Sequence, residues 1–586
     1  MTVRLTWHAA DSFGSSGFDS ASTSHTKTGA LLWIHRLYLM IATVIAAALI
    51  FAYVKGSQFR NETPKTINQP IFKKAPNLGK PKADWSADLV DRNGVLLARS
   101  VETINFKIRP RAIIGDRTRN SISDRSRLIK EVAAIIPDVS MKTLTHAFNN
   151  HDAPAVYIKR NITEGQKQAL ERLGELQGFE LEKKIRRFYP NKEVGIHARG
   201  YYRSGKNGIG IEQALSDRLQ NPDMRSNPLA MSIDIRAQSA VGDILEDALT
   251  NYEATGAAAV VLDVQTGEVL TLSSKPEFDL EKYDPNSPAQ QNLVTYNTYE
   301  YGSVFKVFTI ANALEYQLTS LDQTWNANKL KIDGFSIRDK PKCKDLMTIS
   351  QIIINSCNRA TARIALNLPE NAQRNFFKTL GFFEPSPIEI NEVGIPKGGE
   401  SQWSRSKVIT TSYGHGIQVS LLQTASAFAA MVNGGRLIPP TLIARDKQSP
   451  PIKTSQVLSE KTSLIIRNLM RLNVVHGTGR KGEVAGYLLG GKTGTSEIGG
   501  QGGYDQERVR STFIGAFPMN RPRYVIAVSI HEPKKTDLNR GNRSASWVAA
   551  PVVNRVLRKI APILGILPQQ EKMDLGKVKK YAYIRD

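Results

Sequence analysis

A serine and a lysine stand three residues apart in the run EYGSVFKVF, which extends from Glu300 to Phe308. If this run is helical, Ser303 and Lys306 lie on one face, one turn apart. A serine hydroxyl attacks a carbonyl once a base takes its proton, and a lysine amine is such a base where burial lowers its pKa. The pair is therefore a candidate nucleophile and general base, and Gly302 would allow a sharp turn into the helix. A lysine that extends to solvent beside an unrelated serine gives the same spacing.

A second hydroxyl and an amide follow in the stretch NSCN, after the apolar run Ile352 to Ile354. Ser356 is a candidate for relaying a proton, and Asn358 is a candidate for holding a peptide group of a substrate. Serine and asparagine at this spacing also cap helices, which is the simpler interpretation of this stretch alone.

A third candidate group, KTGT, follows the apolar run GYLLGG. We predict that GYLLGG is a strand and that this group ends it. Lys492 together with the hydroxyls of Thr493 and Thr495 can bind a carboxylate. Gly494 has no side chain, so a substrate backbone could lie against the sheet edge there. A turn at the end of a strand explains this stretch equally well when it is taken alone.

Periodicity predicts the elements that must position these groups. Apolar residues between Ala237 and Ala248 recur at helical spacing, and the next stretch predicts two strands joined by the turn Gln265-Thr266-Gly267. Residues 511–518 and 523–530 predict two later strands, and 552–560 predict a last helix. Because a mostly helical stretch separates the early and late strands, we predict an α+β domain whose sheet is assembled from both ends of the segment.

Composition limits the function classes. The 586 residues carry a net charge of +24, which favours anionic partners in general. Walker loops, zinc-ligand spacings and basic runs with interleaved aromatic residues are missing from the sequence, so nucleic acid is not an expected partner. Two cysteines, Cys343 and Cys357, exclude a disulfide framework. Their spacing fits no metal site, and two free thiols or one bridge remain open.

Residues 37–54 contain no charge and are long enough to cross a bilayer. A cleaved signal peptide usually has a shorter apolar core and a shorter leader, and a buried core helix is the third possibility. We predict a tail at 1–36, one transmembrane anchor at 37–54, and a linker and support domain at 55–230. That support domain includes a hairpin at Asn93-Gly94. A catalytic domain at 231–568 and a basic, frayed tail at 569–586 would follow.

The three groups have the order of the S-x-x-K, S-D-N and K-T-G motifs of penicillin-binding proteins and class A β-lactamases, with Cys357 in place of the aspartate. The chain resembles class B penicillin-binding proteins, and most closely their division-specific, septal type. It differs at Tyr301, where the family usually has proline. Further stretches carry the resemblance: DRNG at 91–94, RFYP at 187–190, GIGIEQALSDRL at 208–219, SIDIRAQ at 232–238, 413–435, 476–497 and 513–533.

The resemblance implies a penicilloyl serine transferase (β-lactamase-like) fold on an N-terminal α+β pedestal, and a peptidoglycan D,D-transpeptidase activity that needs no cofactor and no metal. Ser303 would attack the D-Ala–D-Ala bond of a stem peptide while Lys306 takes its proton. Ser356 and Lys492 would return a proton to the leaving group, and Asn358 would hold the donor. Thr493, Gly494 and Thr495 would bind the substrate. The N–H groups of Ser303 and Thr495 would form the oxyanion hole.

The same resemblance implies β-lactams as inhibitors, a periplasmic catalytic domain on the inner membrane, and a polytopic glycosyltransferase and other division proteins as partners. Three alternatives stay open from the sequence. They are an elongation-type transpeptidase, a membrane-anchored β-lactamase or β-lactam sensor, and a catalytically inactive scaffold. A bifunctional synthase is disfavoured, because residues 55–230 lack the acidic pair expected of a glycosyltransferase module.

Overall fold

The structure is a computed structural model that describes residues 85–582, apart from gaps at 116–121, 151, 174–177, 203–207, 225, 281–283, 285–286, 447–448, 501–502 and 571–572. The predicted tail and anchor, together with the linker up to residue 84, lie outside the described residues. Within the described part, we find no helix with the length and apolar character that a membrane crossing requires.

The N-terminal part, up to residue 230, is built on a five-stranded sheet. The order is β3-β2-β1-β5, and β4 also pairs with β2. The strands are β1 (Leu89–Val90), β2 (Leu96–Ile108), β3 (Val156–Ile162), β4 (Phe179–Phe188) and β5 (Leu229–Ala230). The helices are α1 (Pro110–Gly115), α2 (Ile122–Ile135), α3 (Met141–Asn149), α4 (Glu164–Arg172), α5 (Ile196–Arg199), α6 (Gly210–Ala214) and α7 (Ser216–Leu219), followed by a 3₁₀ turn at Pro222–Met224.

The hairpin predicted at Asn93-Gly94 is present, since β1 and β2 pair antiparallel. Its loop is longer than the two residues predicted. Buried Asp91 accepts hydrogen bonds from the backbone N–H groups of Asn93 and Val95, at 2.7 and 2.8 Å. An aspartate that caps its own loop in this way stabilises a wider turn than the Asn-Gly pair alone would form.

The C-terminal part has the predicted α+β architecture. Its strands are β6 (Gly256–Asp263), β7 (Val269–Lys275), β8 (Thr324–Asn326), β9 (Lys331–Ile332), β10 (Phe335–Ser336), β11 (Leu346–Thr348), β12 (Arg436–Leu437), β13 (Ser455–Gln456), β14 (Gly490–Gly500), β15 (Gly503–Phe517) and β16 (Tyr524–His531). Its helices are α8 (Ile235–Asn251), α9 (Lys306–Glu315), α10 (Ile349–Asn355), α11 (Asn358–Leu366), α12 (Ala372–Thr379), α13 (Arg405–Ser412), α14 (Leu421–Val432), α15 (Glu460–His476), α16 (Ala549–Ile563) and α17 (Gly576–Lys580). Short 3₁₀ turns lie at Pro288–Gln290, Gly302–Val304 and Arg480–Gly482.

A five-stranded antiparallel sheet in the order β14-β15-β16-β6-β7 forms the centre of this part. The pairing of β16 with β6 confirms that the two ends of the segment build one sheet. The turn between β6 and β7 is held by Asp263, whose carboxylate accepts the N–H groups of Gln265 and Thr266.

Helices cover both faces of the central sheet, and its inner strands β6 and β16 are buried at every residue. Alternate residues of β6 point to opposite cores. Ala257, Ala259 and Val261 pack with α8 and α16, whereas Ala258 and Val260 pack with the helical middle of the chain. Asp234 is the N-cap of α8, and its carboxylate accepts the N–H groups of Arg236 and Ala237 in the first turn.

The described part of the C-terminal tail packs at residues 573–582, which contradicts the prediction that the tail 569–586 is frayed. Leu575, Val578 and Ala582 are buried in the main core. The hydroxyl of Thr348 also donates to the carbonyl of Tyr581, at 2.6 Å. Apolar residues at roughly helical spacing inside a basic run are sufficient to dock a short helix.

Candidate active site

Ser303 lies in the 3₁₀ turn Gly302–Val304, directly before the buried helix α9. Gly302 has φ +52°, and a Cβ atom there would lie 2.7 Å from the carbonyl oxygen of Thr495. Glycine is therefore required for both the turn and the approach of β14. Tyr301, at the position where class B penicillin-binding proteins usually have proline, is buried in the core.

Lys306 is fully buried, and its amine contacts four oxygen atoms. Its Nζ lies 2.8 Å from Ser303 Oγ, 2.7 Å from the carbonyl oxygen of Ser356, 3.2 Å from Ser356 Oγ and 2.6 Å from Asn358 Oδ1. Burial, joined by the nearby charge of Lys340, lowers the pKa of Lys306 to about 7, although Asp339 opposes this. A lysine in this state is a base near neutral pH.

The acceptors around Lys306 decide where its lone pair points. A neutral amine has two hydrogens and one lone pair. The Ser356 carbonyl and Asn358 Oδ1 can only accept, and the Asn358 amide is oriented by its own donation to the carbonyl of Arg338, at 3.0 Å. These two acceptors take both hydrogens, which leaves the lone pair for a hydroxyl proton, and the Ser303 hydroxyl is the nearer of the two hydroxyls in contact.

Ser356 connects the two buried lysines. It ends α10 in the left-handed conformation with φ 62°, which turns its hydroxyl into the cluster. Its Oγ lies 2.9 Å from Lys492 Nζ and 3.2 Å from Lys306 Nζ. Burial and the positive charges of Lys306 and Lys340 lower the pKa of Lys492 well below its ordinary value. A proton can pass along this chain without reaching solvent.

The K-T-G group lies at the beginning of β14, not at the end of a strand as predicted. The preceding residues Tyr487 to Leu489 are outside any strand, because their apolar side chains fill the core as an irregular segment. A Cβ atom on Gly494 would lie 2.2 Å from the carbonyl oxygen of Tyr301. Glycine at position 494 therefore allows β14 to pack directly against the turn that carries Ser303.

The two threonines of β14 have different hydrogen bonds. Thr495 is exposed, and its hydroxyl accepts the N–H of Ala545 at 3.0 Å, so its own proton is available to a ligand. Thr493 is buried, and its hydroxyl donates to Thr478 Oγ1 at 2.7 Å. A carboxylate in this cleft would therefore meet the proton of Thr495 first.

Sequence reasoning missed several residues that support the cluster. Asn473 donates to the carbonyl of Gly491 at 2.7 Å and accepts from the hydroxyl of Thr478 at 3.3 Å, which ties α15 to the start of β14. Lys340 lowers the pKa values of both buried lysines through its charge. A sequence signal existed for Thr478, which lies in the stretch 476–497 that carries the resemblance.

Cys343 and Cys357 form a disulfide, so the bridge is the correct one of the two predicted possibilities. It joins the loop of Asp339 and Lys340 to the residue between Ser356 and Asn358. A carboxylate oxygen of Asp339 lies within 4.8 Å of both sulfur atoms, but the sulfurs are bonded to each other and offer no thiolate to a metal. The expectation that no metal takes part stays a prediction.

A cleft of about 570 Å³ opens beside this cluster. Its lining includes Asn358, Tyr413, Thr495 and Glu497, and also His415, which pairs with Glu300 at 3.3 Å. The structure thus brings Ser303, Lys306, Ser356, Asn358 and Lys492 into one hydrogen-bonded network, with Thr493, Gly494 and Thr495 on the adjacent strand.

Residues 257–558 match the family model described as the penicillin binding protein transpeptidase domain. The chain belongs to this family. A second stretch of this penicillin-binding protein, residues 87–224, matches the penicillin-binding protein dimerisation domain. The resemblance drawn from the motifs is therefore confirmed.

Two curated relatives cover most of this penicillin-binding protein. The probable peptidoglycan D,D-transpeptidase FtsI of Caulobacter vibrioides is 32% identical over 511 residues, which are 84% of each chain. The stage V sporulation protein D of Bacillus subtilis is 28% identical over 548 residues, covering 85% of this chain and 80% of that protein.

A solved structure of similar fold is the transpeptidase (TP) domain of penicillin-binding protein 3 from Burkholderia pseudomallei. It is 28% identical, with a TM-score of 0.53, and covers 59% of this chain and 99% of that chain. Together with the family match, this likeness confirms the predicted penicilloyl serine transferase fold.

Proposed function

We propose that this protein is a serine D,D-transpeptidase that crosslinks peptidoglycan stem peptides during septal cell-wall synthesis. The observation that carries the proposal is the buried amine of Lys306, which lies 2.8 Å from the hydroxyl of Ser303 and has a pKa lowered to about 7. The similarity to the FtsI protein of Caulobacter vibrioides supports the substrate and the role in division.

In the acylation step, Ser303 Oγ attacks the carbonyl carbon of the D-Ala–D-Ala bond and its proton moves to Lys306 Nζ. The negative charge that develops on the carbonyl oxygen is stabilised by the backbone N–H groups of Ser303 and Thr495. The N–H of Ser303 suits this role because the first N–H groups of a helical segment have no partner within it.

The leaving D-alanine needs a proton on its nitrogen before the C–N bond breaks. Ser356 donates this proton and recovers one from the lysine pair, since its hydroxyl contacts both Lys306 and Lys492. Asn358 holds the donor peptide, and the hydroxyl of Thr495 binds the terminal carboxylate beside Gly494. Thr493 joins it by exchanging its hydrogen bond to Thr478 for one to the carboxylate. The acyl-enzyme is then attacked by a side-chain amine of a second strand. As its nitrogen bonds to the acyl carbon, the C–O bond to Ser303 breaks. The amine proton passes along the same path to Ser303 Oγ, which regenerates the free serine and leaves the crosslink.

The proposal includes a location and partners. The apolar stretch 37–54 anchors the chain in the inner membrane, and the catalytic domain faces the periplasm, where its substrate is found. The Cys343–Cys357 disulfide supports an oxidising compartment. A polytopic glycosyltransferase and other division proteins would act beside it.

Labelling with a fluorescent penicillin tests the proposal. We expect one long-lived adduct, and peptide mass mapping should place it on Ser303. Rapid release of the hydrolysed drug would indicate a β-lactamase, and an absence of labelling in folded protein would indicate a scaffold. Depletion of the protein in its host should produce filaments; rounded cells would indicate a role in elongation instead.

A further inference from the structure

A second cavity, of about 370 Å³, lies on the other side of β14 from the catalytic cleft. Successive side chains of a strand point to opposite faces. Accordingly, Thr495 and Glu497 line the catalytic cleft, whereas Arg510, the cross-strand partner of the intervening Ser496, lines the second cavity. Ile498 also lines the second cavity, directly after a shift in the register of β14 and β15. Glu497 and Ile498 are adjacent in β14, so the two sites meet at this strand.

The second cavity contains a buried cation that lacks a carboxylate partner. Arg510 is 7% exposed, and its guanidinium carbon lies 3.4 Å from the ring centroid of Tyr299. Among the described residues, Arg510 takes part in no ion pair. The two other cations of the lining are paired, Lys275 with Glu277 at 2.8 Å and Arg508 with Glu532 at 2.7 Å. Arginine is almost never buried without a partner.

A second unsatisfied polar group faces the same cavity. His531 pairs with Arg510 across β15 and β16, and it is 6% exposed. Its Nε2 is buried without a hydrogen-bond partner in the described part of the chain. Burial and the charge of Arg510 lower the pKa of His531 well below its ordinary value, so the ring is neutral. A neutral imidazole can donate one hydrogen bond to an anion beside the guanidinium.

Part of the cavity wall is apolar, formed by Pro276, Pro288, Leu293 and Ile498, and the rest carries polar groups that include Gln291 and Glu532. Inorganic phosphate is strongly hydrated, and it gains no favourable contact from apolar side chains. A carboxylate on an organic body matches both features, since its charge meets the arginine and its carbon atoms meet the wall. We propose that this cavity binds a carboxylate-bearing peptide, with Arg510 as its counter-ion and His531 as a second donor.

This inference rests on the proposed function for its ligand, which is a stem peptide other than the one that acylates Ser303. The position of the cavity relates it to catalysis. Tyr299 lies four residues before the nucleophile. In addition, Ser496, which pairs with Arg510 across β14 and β15, donates to the carbonyl of Glu300 at 2.7 Å. A peptide bound here would contact the back of the strand that forms the catalytic wall.

The test uses the full-length protein after acylation with penicillin, so that the catalytic cleft is occupied. Acetyl-D-alanyl-D-alanine is titrated in and followed by saturation-transfer NMR. We expect binding to the wild-type adduct, and an affinity weaker by about tenfold or more in Arg510→Met, because a charge-assisted pair is lost. The matched control is Arg508→Met, which removes an exposed and paired cation of the same lining and should keep the affinity within about twofold.

Equal binding in wild type and Arg510→Met, or an equal loss in Arg508→Met, would overturn the proposal. So would tighter binding of inorganic phosphate than of the dipeptide. If Arg510→Met does not fold, Arg510→Lys, which keeps the charge but lacks the planar fork, should still weaken the affinity. The rate of penicillin labelling reports the proposed function independently. A variant that is labelled by penicillin at the normal rate but no longer binds the dipeptide distinguishes this inference from the proposed function.

Discussion

The rate at which penicillin acylates Ser303 should depend on pH through Lys306. Deprotonated Lys306 is the active form of the base, and a pKa of about 7 instead of 10.5 makes about half of these amines neutral at pH 7. An ordinary lysine would be neutral in roughly one molecule in 3,000 at that pH. Burial of this side chain thus supplies most of the active base.

The direction in which the acylation rate changes with pH follows from the protonation state of Lys306. The rate should be constant above about pH 8 and fall as pH decreases through 7, reaching roughly one hundredth of its plateau at pH 5. The assay measures the second-order rate constant of adduct formation with a fluorescent penicillin between pH 5 and 9, in gel, with the drug checked for stability at each pH.

Two charged neighbours provide matched variants with opposite effects. Lys340 lowers the pKa of Lys306, so Lys340→Gln should move the midpoint of the profile to higher pH. Asp339 raises that pKa, so Asp339→Asn should move the midpoint to lower pH while keeping an oxygen acceptor for the N–H of Arg359. A flat profile, a midpoint near 10, or shifts of the same sign in both variants would refute the assignment of Lys306 as the base.

Three further predictions concern single residues. Ser303→Ala should abolish the penicillin adduct while the circular dichroism spectrum stays unchanged; a persistent adduct would mean another nucleophile. Gly494→Ala should slow acylation by at least about tenfold, because the new methyl group would lie 2.2 Å from the carbonyl oxygen of Tyr301 and would displace β14; a wild-type rate constant would contradict this packing. Cys343→Ala should lower the free energy of unfolding by about 3 kcal/mol, the chain-entropy value for a loop of this length, as measured by urea denaturation of oxidised protein; an unchanged midpoint would mean that the bridge restrains little.

The sequence was sufficient for the fold where apolar periodicity and chain order agree. The runs around Val260, Ile514 and Ile526 are long and apolar, which predicted buried strands and a sheet built from both ends of the segment. The sequence was not sufficient where the contacts of a few residues decide a local structure that the composition of the segment does not indicate. Val578 docks a basic tail that composition described as frayed, and Asp91 widens a hairpin that its Asn-Gly pair alone would make tighter.

The same contrast holds for the candidate site. The types and order of Ser303, Lys306 and Lys492 predicted which groups would meet, because their chemistry is specific. The partners that adjust them were not predictable, since Lys340 acts through space and Asn473 is an ordinary helical residue until α15 lies against β14. The disulfide was one of two possibilities, because the sequence does not give the distance between Cys343 and Cys357 in the folded chain.

The pairing of β16 with β6 has a consequence for how the chain emerges during synthesis. Tyr524 of β16 pairs with Asp263 of β6. The edge of β6 in the early β6–β7 hairpin therefore has no partner strand until more than two hundred further residues have been synthesised. Contacts between residues this far apart in sequence form slowly, and the strand edge of β6 stays exposed until they form. A nascent chain stopped before β16 would therefore hold a complete helical middle around an unfinished sheet, and would be a target for holdase chaperones rather than a smaller working enzyme.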